Sequence, residues 1–327
     1  MHTRSKRIRI LTAIAVFGLA VLAATGTARA GAPVFVSILP QKYFVESIAG
    51  DLAEVSVLVM PGASPHTYEP TPRQMAALAG ARGYFAIGVT FEEVWLPRIT
   101  GANPSLRIVY TDRGIDKLPM TAHHHDEHEE RAAAHGHGHD EHDAMSEHGH
   151  DEHGEAHGHG HDSGIPDPHV WLSPDGARVL ARNTRDGLIA MDPANEATYR
   201  ANADALLLEI DQVDADIRAL LAPLPDNRRS FMVFHPSWGY FARQYGLTQI
   251  PIEEGGREPS PKGLAEVIEQ GRALGIGVIF VQPQFSEKSA SVIAAELGAR
   301  TAVLDPLGED WPATMRDTAR AIAGAAR

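Results

Sequence analysis

Between residues 121 and 164 the chain carries hardly an apolar side chain, being mostly His, Asp, Glu and Gly. Such a stretch cannot bury enough apolar surface to offset the entropy of ordering it, so it is expected to form a disordered surface loop. The fold must therefore come from the residues outside this segment, and 327 residues are enough for two compact lobes. Fourteen of the 18 histidines lie between His123 and His161, beside 12 carboxylates and one basic residue, Arg131.

Subtracting that segment clarifies the rest. The formal charge of the chain is −13; residues 1–30 hold five basic and no acidic groups, and what remains has 30 acidic and 23 basic residues, or −7. A mildly acidic body with an acidic insert is a poor partner for polyanions, which argues against nucleic acid. No cysteine is present. Disulfides, thiolate metal sites, catalytic thiols and a lipid on an N-terminal Cys are thereby excluded.

Arg4, Lys6, Arg7 and Arg9 precede an apolar run, Ile10 to Gly26, and then Ala28-Arg29-Ala30. This reads as an export leader cleaved after Ala30, and it takes His2 with it. No second apolar run is long enough to span a membrane. The expectation is a protein free in the periplasm, without a lipid anchor, and a monomer.

The mature chain alternates strands and helices. Val34–Ile38, Val55–Met60, Tyr84–Val89 and Arg107–Tyr110 read as strands, with helices at Tyr43–Ile48 and Arg73–Ala79. Asp192, as N-cap, and Pro193 open a helical pattern that runs to Leu221 through Leu206, Leu207, Ile210, Val213, Ile217 and Leu220. At about 44 Å it is longer than one lobe needs, which suggests a strut. Strands then resume at Phe231–Phe234, Thr248–Ile252, Val278–Val281 and Thr301–Leu304, with Ser260-Pro261 opening a helix. The predicted class is α/β: two lobes, each a parallel-rich sheet flanked by helices, joined by one long rigid helix. The predicted divisions are 31–190, 191–223 and 224–327.

Only His66, His169 and His235 remain outside the leader and the insert. His66 follows the second strand through Pro61-Gly62-Ala63-Ser64-Pro65, and His235 follows Phe231–Phe234 directly. Both therefore stand at carboxyl strand ends, where open α/β sheets place ligands. His169 lies in a proline-pinned run, Pro166-Asp167-Pro168-His169, before a helix signal at Ser173-Pro174. Three imidazoles suit zinc, which is usually four-coordinate. Asp305 at the end of the strand Thr301–Leu304, Glu69 beside His66, or water could supply the fourth ligand.

At these residues the chain resembles the zinc- and manganese-specific solute-binding proteins of ABC importers. The resemblance rests on Pro61-Gly62-Ala63-Ser64-Pro65-His66-Thr67-Tyr68, Asp167-Pro168-His169-Val170-Trp171-Leu172-Ser173-Pro174, Phe234-His235-Pro236-Ser237-Trp238-Gly239-Tyr240-Phe241, Gly256-Arg257-Glu258-Pro259-Ser260 and Leu304-Asp305-Pro306-Leu307. It implies a metal held between the lobes by His66, His169, His235 and Asp305, with modest domain closure. It also implies a membrane permease and a separate ATPase as partners, and a binding protein rather than an enzyme. His235 points to zinc, because manganese-type members usually carry a carboxylate there. Pro65 departs from zinc members that place a Glu before the first His, leaving the fourth ligand open.

Zinc-type members often carry a His- and acid-rich insertion at this place. Here His123, His124 and His125, then His135, His137 and His139, then His157, His159 and His161 offer weak auxiliary sites, the last two groups spaced by glycine. Their imidazoles, with pKa near ~6.5, are mostly neutral at pH 7 and can capture zinc for delivery or sensing. The alternatives are a secreted zinc hydrolase with three His ligands, or a manganese-binding member of the same family. No His-Glu-x-x-His motif and no phosphate-binding loop occurs.

Overall fold

The computed structural model describes residues 31–120, 165–253 and 256–326. The expected leader, the insert and all nine of its singled-out histidines lie outside the described residues.

Apolar runs with no polar alternation suit strands covered on both faces, as at Gly83–Ala86 and Val278–Val281, and among the described residues eight strands form two parallel sheets. In the first lobe β1 (Ala32–Val36), β2 (Ala53–Val57), β3 (Gly83–Ala86) and β4 (Arg107–Tyr110) pair in the order β2-β1-β3-β4. In the second, β5 (Ser230–Val233), β6 (Thr248–Pro251), β7 (Val278–Val281) and β8 (Arg300–Val303) repeat it as β6-β5-β7-β8. In each sheet the first strand lies between the second and the third. The chain winds one way and then the other, which opens a crevice at the carboxyl strand ends.

Helices supply the crossovers. They are α1 (Leu39–Ala49), α2 (Pro72–Leu78), α3 (Thr90–Ala102), α4 (Pro174–Met191), α5 (Glu196–Leu221), α6 (Gly239–Tyr245), α7 (Pro261–Ala273), α8 (Lys288–Leu297) and α9 (Trp311–Ala325). The Ser-Pro signals act as read: Ser173 Oγ accepts from the Gly176 amide and Ser260 Oγ from the Gly263 amide. The strands differ from expectation at their edges. β2 ends at Val57 rather than Met60, yet Leu58 and Val59 still donate to the carbonyls of Val36 and Ser37.

The strut is present with a different start. Pro193–Asn195 forms a single 3-10 turn, and the α-helix begins at Glu196 and runs for 26 residues, about 39 Å. Asp192 does not cap a backbone amide; its carboxylate accepts from Asn195 Nδ2 and the Tyr199 hydroxyl. Tyr199, Ala203, Leu206, Ile210, Val213, Ile217 and Leu221 form the buried stripe of α5, which packs on α1, α4 and α9.

A single apolar core runs through both lobes, from Phe44 and Tyr84 past Leu206 and Ile210 to Phe241, Phe280 and Trp311. The second sheet also has an outer core. Phe231 and Val233 face the shared core, while Met232 and Phe234 face the other side with Ile250 and Ile279. Trp311 packs on Phe44 of α1 with ring centroids 5.6 Å apart, and its Nε1 donates to the Trp171 carbonyl at 2.7 Å. Trp171 Nε1 in turn donates to the Pro306 carbonyl, also at 2.7 Å. These contacts tie the first lobe to the turn after β8.

The chain leaves for the insert and returns at one place. The Met120 amide donates to Ile165 and the Asp167 amide to Leu118, while the Tyr240 hydroxyl accepts from the Leu118 amide and donates to the Asp167 carbonyl. The first lobe is therefore continuous across the insertion point.

Beneath the first-lobe crevice, Glu92 is buried and accepts from the amides of Ile87 and Gly88 and from the Ser37 hydroxyl. Burial raises its carboxyl to about 7 despite these donors. An unfolded glutamate titrates near ~4.3, so between the two values the folded protein keeps a proton that the unfolded chain has released. This contribution is complete below the lower value and is lost as pH rises through the higher one, by about 4 kcal/mol in all. Thermal unfolding of metal-free protein should therefore show the advantage of wild type over Glu92→Gln shrinking from pH 4.5 to 7, about the interval between those two pKa values. A difference that does not change with pH contradicts this account.

Candidate metal centre

Each sheet delivers its loops to the same crevice. His66 arrives after β2, Thr90 after β3, His235 after β5, Glu253 after β6, Gln282, Gln284 and Phe285 after β7, and Asp305 after β8. His169 comes from the segment between the insert and α4, which Trp171 anchors. Ser64, Pro65, His66, Val89, Pro168, His169, Trp171, His235, Ser237, Gln284, Phe285, Pro306 and Leu307 enclose a pocket whose free volume is about 20 Å³.

Among the described residues, His66, His169 and His235 gather ligand atoms that all lie within 4.8 Å of one another. Ring centroids are 4.8 Å apart for His66–His235, 5.2 Å for His169–His235 and 5.7 Å for His66–His169. Asp305 and Glu69 do not join this cluster. Glu69 is exposed, and Asp305 Oδ1 accepts from Gln284 Nε2 and the Leu307 amide, both at 2.9 Å.

Two of the three rings are backed by buried carboxylates. Asp167 Oδ1 lies 2.7 Å from His169 Nδ1 and also accepts from the His169 amide at 2.9 Å. Glu253 Oε1 lies 2.7 Å from His235 Nδ1. A carboxylate accepts only, so each Nδ1 carries the proton and each Nε2 presents a lone pair to the pocket. Gln282 clamps the backbone of His235, its Oε1 accepting from the amide and its Nε2 donating to the carbonyl. Phe285 stacks on the His235 ring at 4.6 Å.

His66 is held differently. Its Nδ1 is 3.2 Å from Thr90 Oγ1, and its Nε2 is 3.1 Å from His235 Nε2. Because His235 Nε2 is fixed as an acceptor, His66 satisfies that contact by donating from Nε2, with Nδ1 accepting from Thr90. A hydroxyl can also accept, so the other tautomer is open to His66 without loss of its partner. With the proton moved to Nδ1, all three Nε2 lone pairs face one point.

Burial, followed by the neighbouring His235 and His169, lowers His66 to about 3. Burial likewise lowers His235, against the pull of Glu253. Neither ring takes up a proton at neutral pH, so both are available to a cation. The donor set is nitrogen-rich and borderline-soft, which fits zinc better than an oxygen-seeking cation.

The sequence located the three histidines but assigned no role to Asp167, Thr90, Gln284 or Ser237, and it passed over Glu253 entirely. Glu253 does follow a predicted strand adjacent to the one carrying His235, and that placement was the available signal.

Two lobes, each built on a parallel sheet, converge on three imidazoles that could hold a metal ion, the architecture expected of the metal-ion solute-binding class. The chain belongs to the zinc-uptake complex component A (ZnuA) family, a periplasmic family whose model matches residues 34–325. It is 28% identical over 278 residues to the high-affinity zinc uptake system protein ZnuA of Bacillus subtilis, covering 84% of this chain and 78% of that one. It is 28% identical over 296 residues to the zinc-binding protein AdcA of Streptococcus pyogenes, covering 86% of this chain. It spans about half the length of that streptococcal relative, 54%. A crystal structure of a zinc-bound ZnuA deletion mutant superposes with a TM-score of 0.75 at 38% identity, covering 90% of this chain and 98% of the other.

Outer carboxylates that orient ligating histidines typically govern affinity by ~10–100-fold. Asp167→Asn and Glu253→Gln should each weaken zinc binding by about that factor, read by competition with a chromophoric chelator. Affinity unchanged in both variants contradicts the orienting role.

Proposed function

We propose that this protein captures zinc between its lobes and delivers it to an ABC permease for import. The observation that carries the proposal is the convergence of His66, His169 and His235 from three separate segments, two of them backed by buried carboxylates. Family membership supports the transport role, and the nitrogen-rich donor set favours zinc over manganese. None of the described helices is long and apolar enough to cross a membrane. The permease and the ATPase are assigned to other chains. The protein acts as a monomer in the periplasm, released by removal of residues 1–30, and the sequence holds no cysteine to carry a lipid.

A hydrolytic role gains no support from the pocket. Its lining contains no Asp, Glu, Lys or Tyr to act as general base, and about 20 Å³ suits an ion or one water rather than an organic substrate. The His-rich insert gathers zinc weakly at several sites, among them His135, His137 and His139, and passes it to the cleft or senses its abundance.

Calorimetric titration of a variant lacking residues 123–162 should retain one tight zinc site and lose the weaker ones, with manganese failing to displace zinc. Zinc should raise the melting temperature of that variant, because it binds the folded state preferentially. His169→Ala and His235→Ala should each abolish the rise. A rise that persists in both places the tight site elsewhere, and loss of tight binding on deletion alone makes the insert part of the main site.

A further inference from the structure

Asp305 stands where a fourth ligand is expected, yet two donors of its own lobe hold its carboxylate. Gln284 Nε2 and the Leu307 amide both donate to Oδ1. A carboxylate cannot donate, so the Gln284 amide must turn its nitrogen to Asp305 and its oxygen away. Exchanging the two amide atoms would set oxygen against oxygen. In that orientation Gln284 Oε1 is buried and has no hydrogen-bond partner among the described residues.

A second oxygen shares this state. Ser237 is fully buried, its Oγ has no partner among the described residues, and Ser237 and Gln284 both line the pocket of the three histidines. Buried polar atoms are nearly always paired, so two residues that line one small pocket and each carry an oxygen unpaired among the described residues call for a common occupant. A water bound to a cation has two O–H donors to give and needs two acceptors.

We propose that Gln284 selects the fourth ligand: it tethers Asp305 away from the histidines and, with Ser237, offers the oxygens that hold a water on the bound cation. This rests on the three histidines holding the ion. Gln284 is thus a positioning residue, acting on Asp305 through its nitrogen and on the water through its oxygen. Asp305 becomes available only when that tether is removed.

Cobalt reports the coordination directly, because an exchangeable water is displaced by azide with a change in the visible bands and a carboxylate ligand is not. Full-length protein is loaded with half an equivalent of Co²⁺, so that the tightest site fills first, and titrated with azide. The bands of wild type and of Asp305→Asn should shift alike. In Gln284→Met the freed Asp305 should occupy the position and weaken the azide response by about tenfold or more, and Gln284→Met/Asp305→Asn should restore it. Wild type that ignores azide while Asp305→Asn responds makes Asp305 the resident ligand and overturns the proposal. A Gln284→Met response equal to wild type, in protein with an unchanged melting temperature, overturns the role of Gln284. If Gln284→Met fails to fold, the comparison of wild type with Asp305→Asn decides the ligand alone. Visible bands that survive in His235→Ala contradict the three-histidine site itself and not merely its fourth position.

Discussion

Asp167 and Glu253 each lie 2.7 Å from the Nδ1 of a histidine, and these two bonds decide what the cleft can hold. Without them, His169 and His235 would be free to choose either tautomer and either ring orientation. With them, each Nε2 presents a lone pair to the pocket between the lobes. Burial, and after it the two neighbouring imidazoles, holds His66 far below the usual imidazole range, so the same closeness that could suit a cation disfavours a proton. Lone pairs fixed in this way would limit the ordering cost of binding a cation there.

That preparation depends on the join between the lobes. His169 sits on a segment fixed at three points: Tyr240 at the Asp167 carbonyl, Trp171 at Pro306, and Trp311 at Trp171. Each of these bonds reaches out of the first lobe. The strut α5 and the shared core continue the same connection, so the two carboxyl edges face each other across packed side chains and not across a flexible linker. His66 is the exception, since its outer nitrogen meets only the hydroxyl of Thr90. Of the three rings it is the one whose outer partner fits either tautomer.

Much of this was legible in the residues alone. Apolar runs punctuated by Pro-Gly and Ser-Pro located the strands and two helix starts, and removing the histidines of the leader and insert left the three that converge. Other features were hidden for physical reasons. The helix Thr90–Ala102 contains Pro97 and Gly101, both poor helix formers, and packing overrides that local preference. Glu253 belongs to Glu253-Glu254-Gly255-Gly256, which reads as a polar turn until the parallel pairing of β5 with β6 sets it behind His235. Asp305 illustrates the opposite limit. Its strand-end position was visible, but the direction of its carboxylate depends on Gln284, a residue 21 positions away.

One ion shared by His66, His169 and His235 would explain why the three rings converge. Anomalous diffraction at the zinc edge, from crystals of zinc-loaded protein, tests it most directly. A single strong peak about 2.0–2.1 Å from the Nε2 atoms of all three histidines is the predicted result. A peak that engages only one or two of them, or that lies outside the interlobe pocket, would contradict it.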